Sequence, residues 1–366
     1  MSSAPERTLE FSTTLSTNRV PAERRAQVLT DPGFGATFTD HMVIATWTVD
    51  DGWFNAGVRP YAPLSLDPAT ATLHYAQAIF EGLKAYRHDD GSIWAFRPEA
   101  NGARFARSAA RMALPQLPVS AFVEAVDVLV RADVEWVPTG GESSLYLRPF
   151  MFASEVFLGV RPAEEVTFCV IASPAGAYFA TGVKPVDIWL STEYTRAAPG
   201  GTGAAKAAGN YAASLIAQQE ALHHGCAQVC FLDAVERRWI EELGGMNLYF
   251  VRSDGSIVTP ELTGTILEGI TRESILALAN DRGFKVEERP VSIDEWRDGV
   301  TSGEITEVFA CGTAAVLTPL GTLKWDGGEL SMGSETGPVT SEIRAALLDV
   351  QYGRAEDAHG WLHRIV

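Results

Sequence analysis

Cysteine is scarce in this sequence. Four residues (Cys169, Cys226, Cys230 and Cys311) in a chain of 366 do not make a disulfide framework, and no two of them form a CxxC pair. His223 and His224 precede Cys226, but Cys230 sits in Ala227-Gln228-Val229-Cys230-Phe231-Leu232, an apolar run that reads as a buried strand. That spacing does not suit structural zinc, and no metal is expected. Positive charge is also short: 29 Lys and Arg stand against 46 Asp and Glu, a net charge of -17. Such a field repels nucleic acid and anionic lipid, so any anionic ligand must be captured by a local basic pocket. Long apolar runs are missing as well; none approaches the roughly eighteen residues that span a bilayer. The opening Met-Ser-Ser-Ala-Pro-Glu-Arg shows no basic stretch followed by an apolar one, which leads to the expectation of a cytoplasmic address. No repeat or low-complexity tract is visible.

What is present is enough apolar residue, 46%, to bury a sizeable core, in a length better divided between two domains than packed as one. Residues 1–35 lack sustained periodicity and read as an extended arm lying on the body. Residues 36–172 read as a smaller α/β domain. It opens on a β-hairpin between Phe38 and Tyr61 that turns at Asp50-Asp51-Gly52. Asp67-Pro68 then predicts an N-cap and first helical proline for a helix from Ala69 to Phe80, with Gly82 ending it before a strand from Leu83 to Arg87. Helices are predicted at Asn101 to Met112 and Ser120 to Trp136, and strands at Ser144 to Phe152 and Val166 to Ala172. Residues 173–182 mix helix breakers with Tyr178 and Phe179 and read as an interdomain loop. The larger domain, 183–366, alternates predicted strands (Val186 to Ser191, Gln228 to Leu232, Leu248 to Val251, Glu307 to Cys311) with helices (Tyr211 to His223, Thr271 to Arg282, Ser341 to Tyr352). The fold class is mixed, α/β or α+β, and the pattern leaves sheet topology open.

Two segments carry chemistry. Lys206 lies in Gly200-Gly201-Thr202-Gly203-Ala204-Ala205-Lys206-Ala207-Ala208-Gly209-Asn210-Tyr211, where small neighbours leave room for a flat ring beside an amine. Glu241-Glu242-Leu243-Gly244-Gly245-Met246-Asn247 supplies a carboxylate, Glu242, able to hold a pyridine nitrogen protonated. Amine and acid together suggest pyridoxal phosphate, with the Tyr211 phenol placed to bond the cofactor's phenolate oxygen. A phosphate anchor is expected at Gly269-Ile270-Thr271, where a glycine opens a helix whose N-terminal N–H groups and dipole favour an anion by roughly 0.3 to 1 kcal/mol. Cys311-Gly312-Thr313-Ala314-Ala315, just after a predicted strand, is a candidate for a second anion turn of the same kind. Arg104 and Arg148 are the remaining basic candidates. Tyr146 and Arg148 share one face of a strand; an arginine there usually means an ion pair, but on a cleft wall it suits a substrate carboxylate. Tyr75 and Phe80, from the predicted helix before them, would supply apolar wall.

These blocks, in this order, resemble the branched-chain amino acid aminotransferases of the fold type IV pyridoxal phosphate family. The resemblance runs from about Phe38 to the C-terminus. It takes in Leu73-His74-Tyr75, Phe80-Glu81-Gly82-Leu83-Lys84-Ala85-Tyr86, Phe96-Arg97-Pro98, Leu145-Tyr146-Leu147-Arg148-Pro149 and Gly176-Ala177-Tyr178-Phe179, then the lysine run, Glu242 to Asn247, Gly269-Ile270-Thr271 and Gly312-Thr313-Ala314. It implies that Lys206 bonds the cofactor aldehyde, that Glu242 meets the pyridine nitrogen, and that Tyr211 meets the phenolate oxygen. It assigns phosphate contacts to Arg104, Ile270, Thr271 and Thr313. Substrate contacts fall to Tyr75, Phe80, Tyr146 and Tyr178, with the Thr313 and Ala314 amides on the α-carboxylate and Arg148 toward the distal carboxylate of glutamate. Arg196 is implied one layer behind. A homodimer is implied too, with small amino acids and 2-oxo acids as the only other partners. Where some family members carry a CxxC after the Gly-Thr-Ala turn, this chain has Ala315-Val316-Leu317-Thr318, so no thiol switch is expected.

The expected reaction is amino transfer between leucine, isoleucine or valine and 2-oxoglutarate, with Lys206 moving the α-proton. One pocket must then accept both an isobutyl and a carboxyethyl group, which explains an aromatic wall with one polar contact at its edge. The alternatives are a D-amino acid aminotransferase or an aminodeoxychorismate lyase of the same fold, and a catalytically silent homologue that binds without turnover.

Overall fold

The computed structural model describes residues 9–176 and 183–366. The chain divides into two compact units, Met1–Tyr178 with Gln351–Gly353 and Asp357–Val366, and Phe179–Val350 with Arg354–Glu356. In chain order the first unit carries β1 (Ser12–Thr13), α1 (Ala22–Thr30), β2 (His41–Thr48), β3 (Gly52–Pro60), α2 (Thr72–Tyr75), β4 (Ala78–Phe80), β5 (Leu83–Arg87), β6 (Ile93–Phe96), α3 (Pro98–Arg111), α4 (Val119–Ala132), β7 (Ser144–Ala153) and β8 (Glu165–Ala175). The second carries β9 (Val186–Ser191), α5 (Ala208–His223), β10 (Gln228–Leu232), β11 (Ile240–Leu243), β12 (Asn247–Arg252), β13 (Ile257–Thr259), α6 (Ile270–Asp281), β14 (Val286–Glu288), α7 (Ile293–Ser302), β15 (Ile305–Gly312), β16 (Val316–Trp325), β17 (Gly328–Ser331) and α8 (Pro338–Gln351). The last strand, β18 (Leu362–Arg364), returns to the first unit.

Each unit is built on one sheet, nine-stranded among the described residues. The first runs β1-β3-β2-β8-β7-β5-β6-β18, with β4 also on β7; the second runs β11-β10-β9-β16-β15-β12-β13-β14, with β17 on β16. The hairpin β2–β3 turns where expected: Gly52 adopts φ +68°, and Thr48 and Asp51 cap the turn through a 3.0 Å side-chain hydrogen bond. Period-two alternation buries Val43 and Ala45, and helical periodicity in α4 buries Phe122, Val126, Leu129 and Val130 against the same sheet. Phe105 of α3 joins them, its ring 5.4 Å from Phe122 and 5.6 Å from Phe168. Each such side chain contributes about 1.5–3 kcal/mol by leaving water.

In the second unit β12 is buried on both faces. Phe250 meets Trp296 of α7 edge-on at 5.1 Å, whereas Tyr249, pointing the other way, stacks on Phe309 at 4.9 Å and donates its hydroxyl to the Arg272 carbonyl of α6. Helices therefore cover opposite faces of this sheet, and its central strands read as continuous apolar runs.

Three expectations change. The helix predicted from Ala69 to Phe80 is a single turn, α2, followed by β4. Asp67 does not cap it: its carboxylate accepts the Ala69 N–H at 2.8 Å in the preceding turn, the N-cap position is Ala71 with no side-chain bond, and Ala76 turns left-handed at φ 49° and closes the helix on the Thr72 carbonyl. Pairing of Ala78, Ile79 and Phe80 with Phe152, Met151 and Phe150 then outweighs local propensity. The arm contains a helix, α1. Before it, Ser16 donates its N–H to His41 Nε2 at 2.8 Å, while His41 Nδ1 lies 2.6 Å from Asp133 Oδ1. Finally, the tail that the sequence reading placed in the larger domain pairs through β18 with β6 of the first unit.

Candidate active site

The lysine run forms the turn before α5. Asn210, at the start of that helix, donates its side-chain amide to the carbonyls of Thr202 (2.8 Å) and Ala205 (2.9 Å), so the loop is fixed around Lys206. Gly203 lies against the Thr265 backbone; a Cβ there would sit 2.3 Å from its carbonyl oxygen. This packing leaves Lys206 half-buried with Nζ 2.9 Å from the Tyr211 hydroxyl. Amine and phenol sit side by side, as the sequence proposes for two groups that share one ring substituent and its neighbour.

Glu241 and Glu242 are consecutive on β11 and point to opposite faces. Neither is the exposed strand-end carboxylate that such a pair commonly makes: Glu241 is 5% and Glu242 1% exposed. Glu242 Oε1 accepts the Leu267 N–H at 2.8 Å and lies 2.8 Å from Arg196 Nη1. A carboxylate this deep needs such compensation, and the guanidinium supplies it. The turn that follows, Gly244-Gly245, carries Gly245 beside the Tyr211 ring, where a Cβ would stand at 3.8 Å. Asn247 then bonds the Leu267 carbonyl at 3.1 Å and abuts Gly269, whose Cβ would fall 2.1 Å from its Oδ1.

Gly269 is thus locked at the head of α6. Among the described residues no side chain caps this helix, so the amides of its first turn, at Ile270 and Thr271, present the positive end of the dipole. Register pairs Asn247 with Cys311, which carries the Gly312-Thr313-Ala314 turn between β15 and β16 to the same edge of the sheet. The second unit holds Lys206, Tyr211, Glu242, Gly269, Ile270, Thr271, Thr313 and Ala314, carried by the lysine loop, the start of α5, β11, the head of α6 and the β15–β16 turn. The donor set fits pyridoxal phosphate: an amine beside a phenol, a charge-compensated carboxylate, and an uncapped helix head. Burial pushes the Cys311 thiol well up, away from thiolate chemistry.

The first unit holds a separate group. Phe80 pairs opposite Phe150, and Tyr146, Arg148 and Phe150 alternate on one face of β7. Arg148 Nη2 donates to the Tyr146 hydroxyl at 3.0 Å and its guanidinium lies 4.8 Å over the Phe80 ring. Gly82 makes this possible, since a Cβ there would stand 2.1 Å from the Tyr146 hydroxyl. Among the described residues no carboxylate pairs with Arg148, and its Nε is buried without a hydrogen-bond partner. The ion pair that such an arginine ordinarily makes is not what holds it.

Arg104 belongs to α3 of the first unit. Its Nε and Nη2 form a two-pronged pair with Glu81 at 2.7 and 2.8 Å, and Asn101 donates to the same carboxylate at 2.8 Å. Tyr75 is 39% exposed and donates its hydroxyl to the Leu158 carbonyl. Tyr178 lies outside the described residues. Sequence reasoning gave no role to Glu81, although it sits inside a quoted motif. It also missed Phe34 of the arm, whose ring meets Tyr146 edge-on at 5.0 Å and which no local pattern announces.

Known proteins share this chain's sequence and fold. The family described as amino-transferase class IV matches residues 78–322. A probable branched-chain-amino-acid aminotransferase of Streptomyces coelicolor is 62% identical over 93% of this chain and 94% of its own length. The branched-chain-amino-acid aminotransferase of Mycolicibacterium smegmatis is 55% identical, end to end in both chains. Among solved structures, the branched-chain amino acid aminotransferase of Escherichia coli superposes with a TM-score of 0.75 at 31% identity, covering 89% of this chain and 99% of that one. The Thermobaculum terrenum branched-chain amino acid aminotransferase, solved in its PLP-bound holo form, gives 0.70 at 26%, covering 88% and 98%. With the family match, the relatives and the fold in accord, this chain belongs to the class IV aminotransferases, the fold type IV pyridoxal phosphate enzymes, and within them to the branched-chain amino acid aminotransferases.

Proposed function

We propose that the chain interconverts L-leucine, L-isoleucine or L-valine and 2-oxoglutarate with the branched 2-oxo acid and L-glutamate, using the residues placed above. The observation that carries this reading is the 2.9 Å contact between Lys206 Nζ and the Tyr211 hydroxyl, in the same unit as the Glu242–Arg196 pair. Bound pyridoxal phosphate supplies an aldehyde that accepts the amino group and a ring that draws electrons from Cα. Lys206 carries the proton between Cα and the cofactor carbon. Tyr211 holds the lysine's direction and donates to the phenolate oxygen. Glu242 keeps the ring nitrogen protonated, with Arg196 compensating its buried charge. The head of α6 at Gly269, Ile270 and Thr271, with Thr313, receives the phosphate, and Arg104, aligned by Glu81, adds a positive charge to it. The Thr313 and Ala314 amides take the substrate α-carboxylate. Phe80, Tyr146 and Tyr75 form apolar wall, and Arg148, with its unpartnered Nε, meets the distal carboxylate of glutamate.

The proposal extends to a cytoplasmic homodimer. Leu73, Tyr75, Val156, Leu158 and Val160, drawn together by the Thr70–Val156 bridge and the Tyr75–Leu158 hydrogen bond, are 39–89% exposed and form an apolar surface suited to a second copy. Four unpaired, buried cysteines suit a reducing compartment.

The test is an absorbance spectrum of the cofactor-loaded protein before and after L-leucine, beside Lys206→Ala. The expected result is conversion to the amine form of the cofactor with one equivalent of branched 2-oxo acid in the wild type and none in the variant. Bleaching by a D-amino acid instead of L-leucine overturns the substrate reading, and absence of any cofactor band overturns the enzyme reading. Light scattering at twice the chain mass, falling to one chain mass in Leu158→Asp with Val160→Asp, checks the dimer.

A further inference from the structure

A histidine ties the arm to the first unit. His41 opens β2 and is buried, and its two ring nitrogens face different partners: Nδ1 lies 2.6 Å from Asp133 Oδ1, and Nε2 lies 2.8 Å from the backbone nitrogen of Ser16. A backbone N–H can only donate, so Nε2 carries the lone pair and Nδ1 carries the proton that Asp133 accepts. The docked arm thus fixes both the tautomer and the neutral state of the ring. Around Ser16 the chain is held by few bonds. The Ser12 hydroxyl donates to the Ala56 carbonyl at 3.2 Å, the Thr14 N–H to the Val58 carbonyl at 2.9 Å, and the Val20 N–H to Asp40 Oδ1 at 2.7 Å. Gly57 makes room for this close approach, since a Cβ there would stand 2.4 Å from Ser12 Oγ. Strand β1 is two residues long and both are exposed.

We propose that His41 is a proton-operated latch for residues 9–20: protonation of Nε2 expels the Ser16 N–H, and this stretch leaves the edge of β3 while the rest of the unit stays folded. A protonated Nε2 is a donor facing a donor, and neither then has a partner. Docking therefore opposes protonation, and by linkage protonation opposes docking, so the hold is full above neutrality and is lost as pH falls. Helix α1 stays in place because Val28 and Leu29 pack on the core of the sheet. Release bares the backbone groups of β3, an edge that another extended chain can pair with. The latch is independent of the reaction proposed above.

The charged groups around the latch are Arg131 and Asp133 at the end of α4, Glu135 after it, Asp40 next to His41 in the chain, and Arg19 of the arm. Asp40 also accepts the Trp136 Nε1–H at 2.8 Å, Glu135 pairs with Arg25 of α1, and Arg131 pairs with Asp127 at 3.1 Å. On β3, Arg59 stands opposite Met42 and so points to the other face of the sheet. Asp133 is the rival site for the proton: burial raises its carboxyl, against the Thr39 and His41 hydrogen bonds that lower it.

Hydrogen exchange read by mass spectrometry on the cofactor-loaded enzyme, with exposure times scaled for the intrinsic pH dependence of exchange, compares residues 9–20 with α4. Between about pH 7.5 and about pH 5, protection of residues 9–20 is expected to fall by at least about ten-fold while that of α4 holds. His41→Gln keeps an acceptor of similar reach that does not titrate, and should hold residues 9–20 at both pH values. Ser16→Pro removes the donor without touching the core, and should leave these residues equally open at both. The proposal is overturned if residues 9–20 of the wild type follow α4 at both pH values, or if the fall persists in His41→Gln, which would put the proton on Asp133. Persistence in Ser16→Pro overturns it as well, and that arm of the test stands even if His41→Gln does not fold.

Discussion

Arg196 Nη1 lies 2.8 Å from Glu242 Oε1, and the two side chains are 1% and 2% exposed. The same nitrogen donates to the Thr265 carbonyl at 2.9 Å and the Gly203 carbonyl at 3.3 Å. One guanidinium thus ties the carboxylate assigned to the pyridine nitrogen to the loop that carries Lys206. Arg196→Met is expected to leave Glu242 buried without its counter-charge, at a cost of about 3 kcal/mol. Urea denaturation measures that loss. Adding Glu242→Gln to Arg196→Met should restore part of the stability while leaving cofactor affinity low, a split that simple core damage would not give.

The role proposed for Arg148 is to separate the two substrate classes. With the guanidinium stacked on Phe80 and bonded to Tyr146, Arg148→Met keeps the apolar stem and removes the charge. KM for 2-oxoglutarate is expected to rise by about 10- to 100-fold, with KM for the branched 2-oxo acids moving less than about three-fold. Equal changes for both would remove Arg148 from the distal carboxylate.

Gly82 tests the wall itself. A Cβ at this position collides with the end of the Tyr146 side chain rather than with backbone, so the ring can swing aside. Gly82→Ala should therefore cost less than about 1 kcal/mol in stability and lower kcat/KM for L-leucine by about ten-fold. A large fall in melting temperature would show that the contact is structural.

Glu241 gives the stability a pH signature. Its carboxyl is raised from the ordinary 4.5 to about 7 in the folded chain, chiefly by burial. Between those values the folded state holds a proton that the unfolded state has released, so stability falls as pH rises across this window and levels off above it. Glu241→Gln should flatten that part of the profile, which urea midpoints at intervals from about 4.5 to about 7.5 would reveal. Identical profiles for the two proteins would place the titration elsewhere.

Much of this was legible locally. The Asp50-Asp51-Gly52 turn, the periodicity of α4 and the apolar runs of β9 and β10 are written in neighbouring residues, and the structure follows them. Local signals were also passed over. Ser292 followed by Glu295 is a capping box, and its hydroxyl does accept the Glu295 N–H at 3.0 Å to open α7. Pro319 and Gly321 disguise β16, which is nevertheless a ten-residue strand next to β9 and β15.

The sequence by itself determined which residue types stand together along the chain: the amine among small residues, the paired acids before Gly-Gly, the glycine that heads α6. These are contiguous, and their chemistry needs no partner to be read. Only the tertiary structure decided that Ala78–Phe80 pairs as a strand, that Glu81 takes Arg104, that Arg196 takes Glu242, and that of two adjacent glutamates one faces the loops of Lys206 and Tyr211 while the other faces a cavity. Each of those outcomes depends on a group distant in sequence, and the energy that selects it, ladder pairing or compensation of a buried charge, exists only once the sheets have assembled.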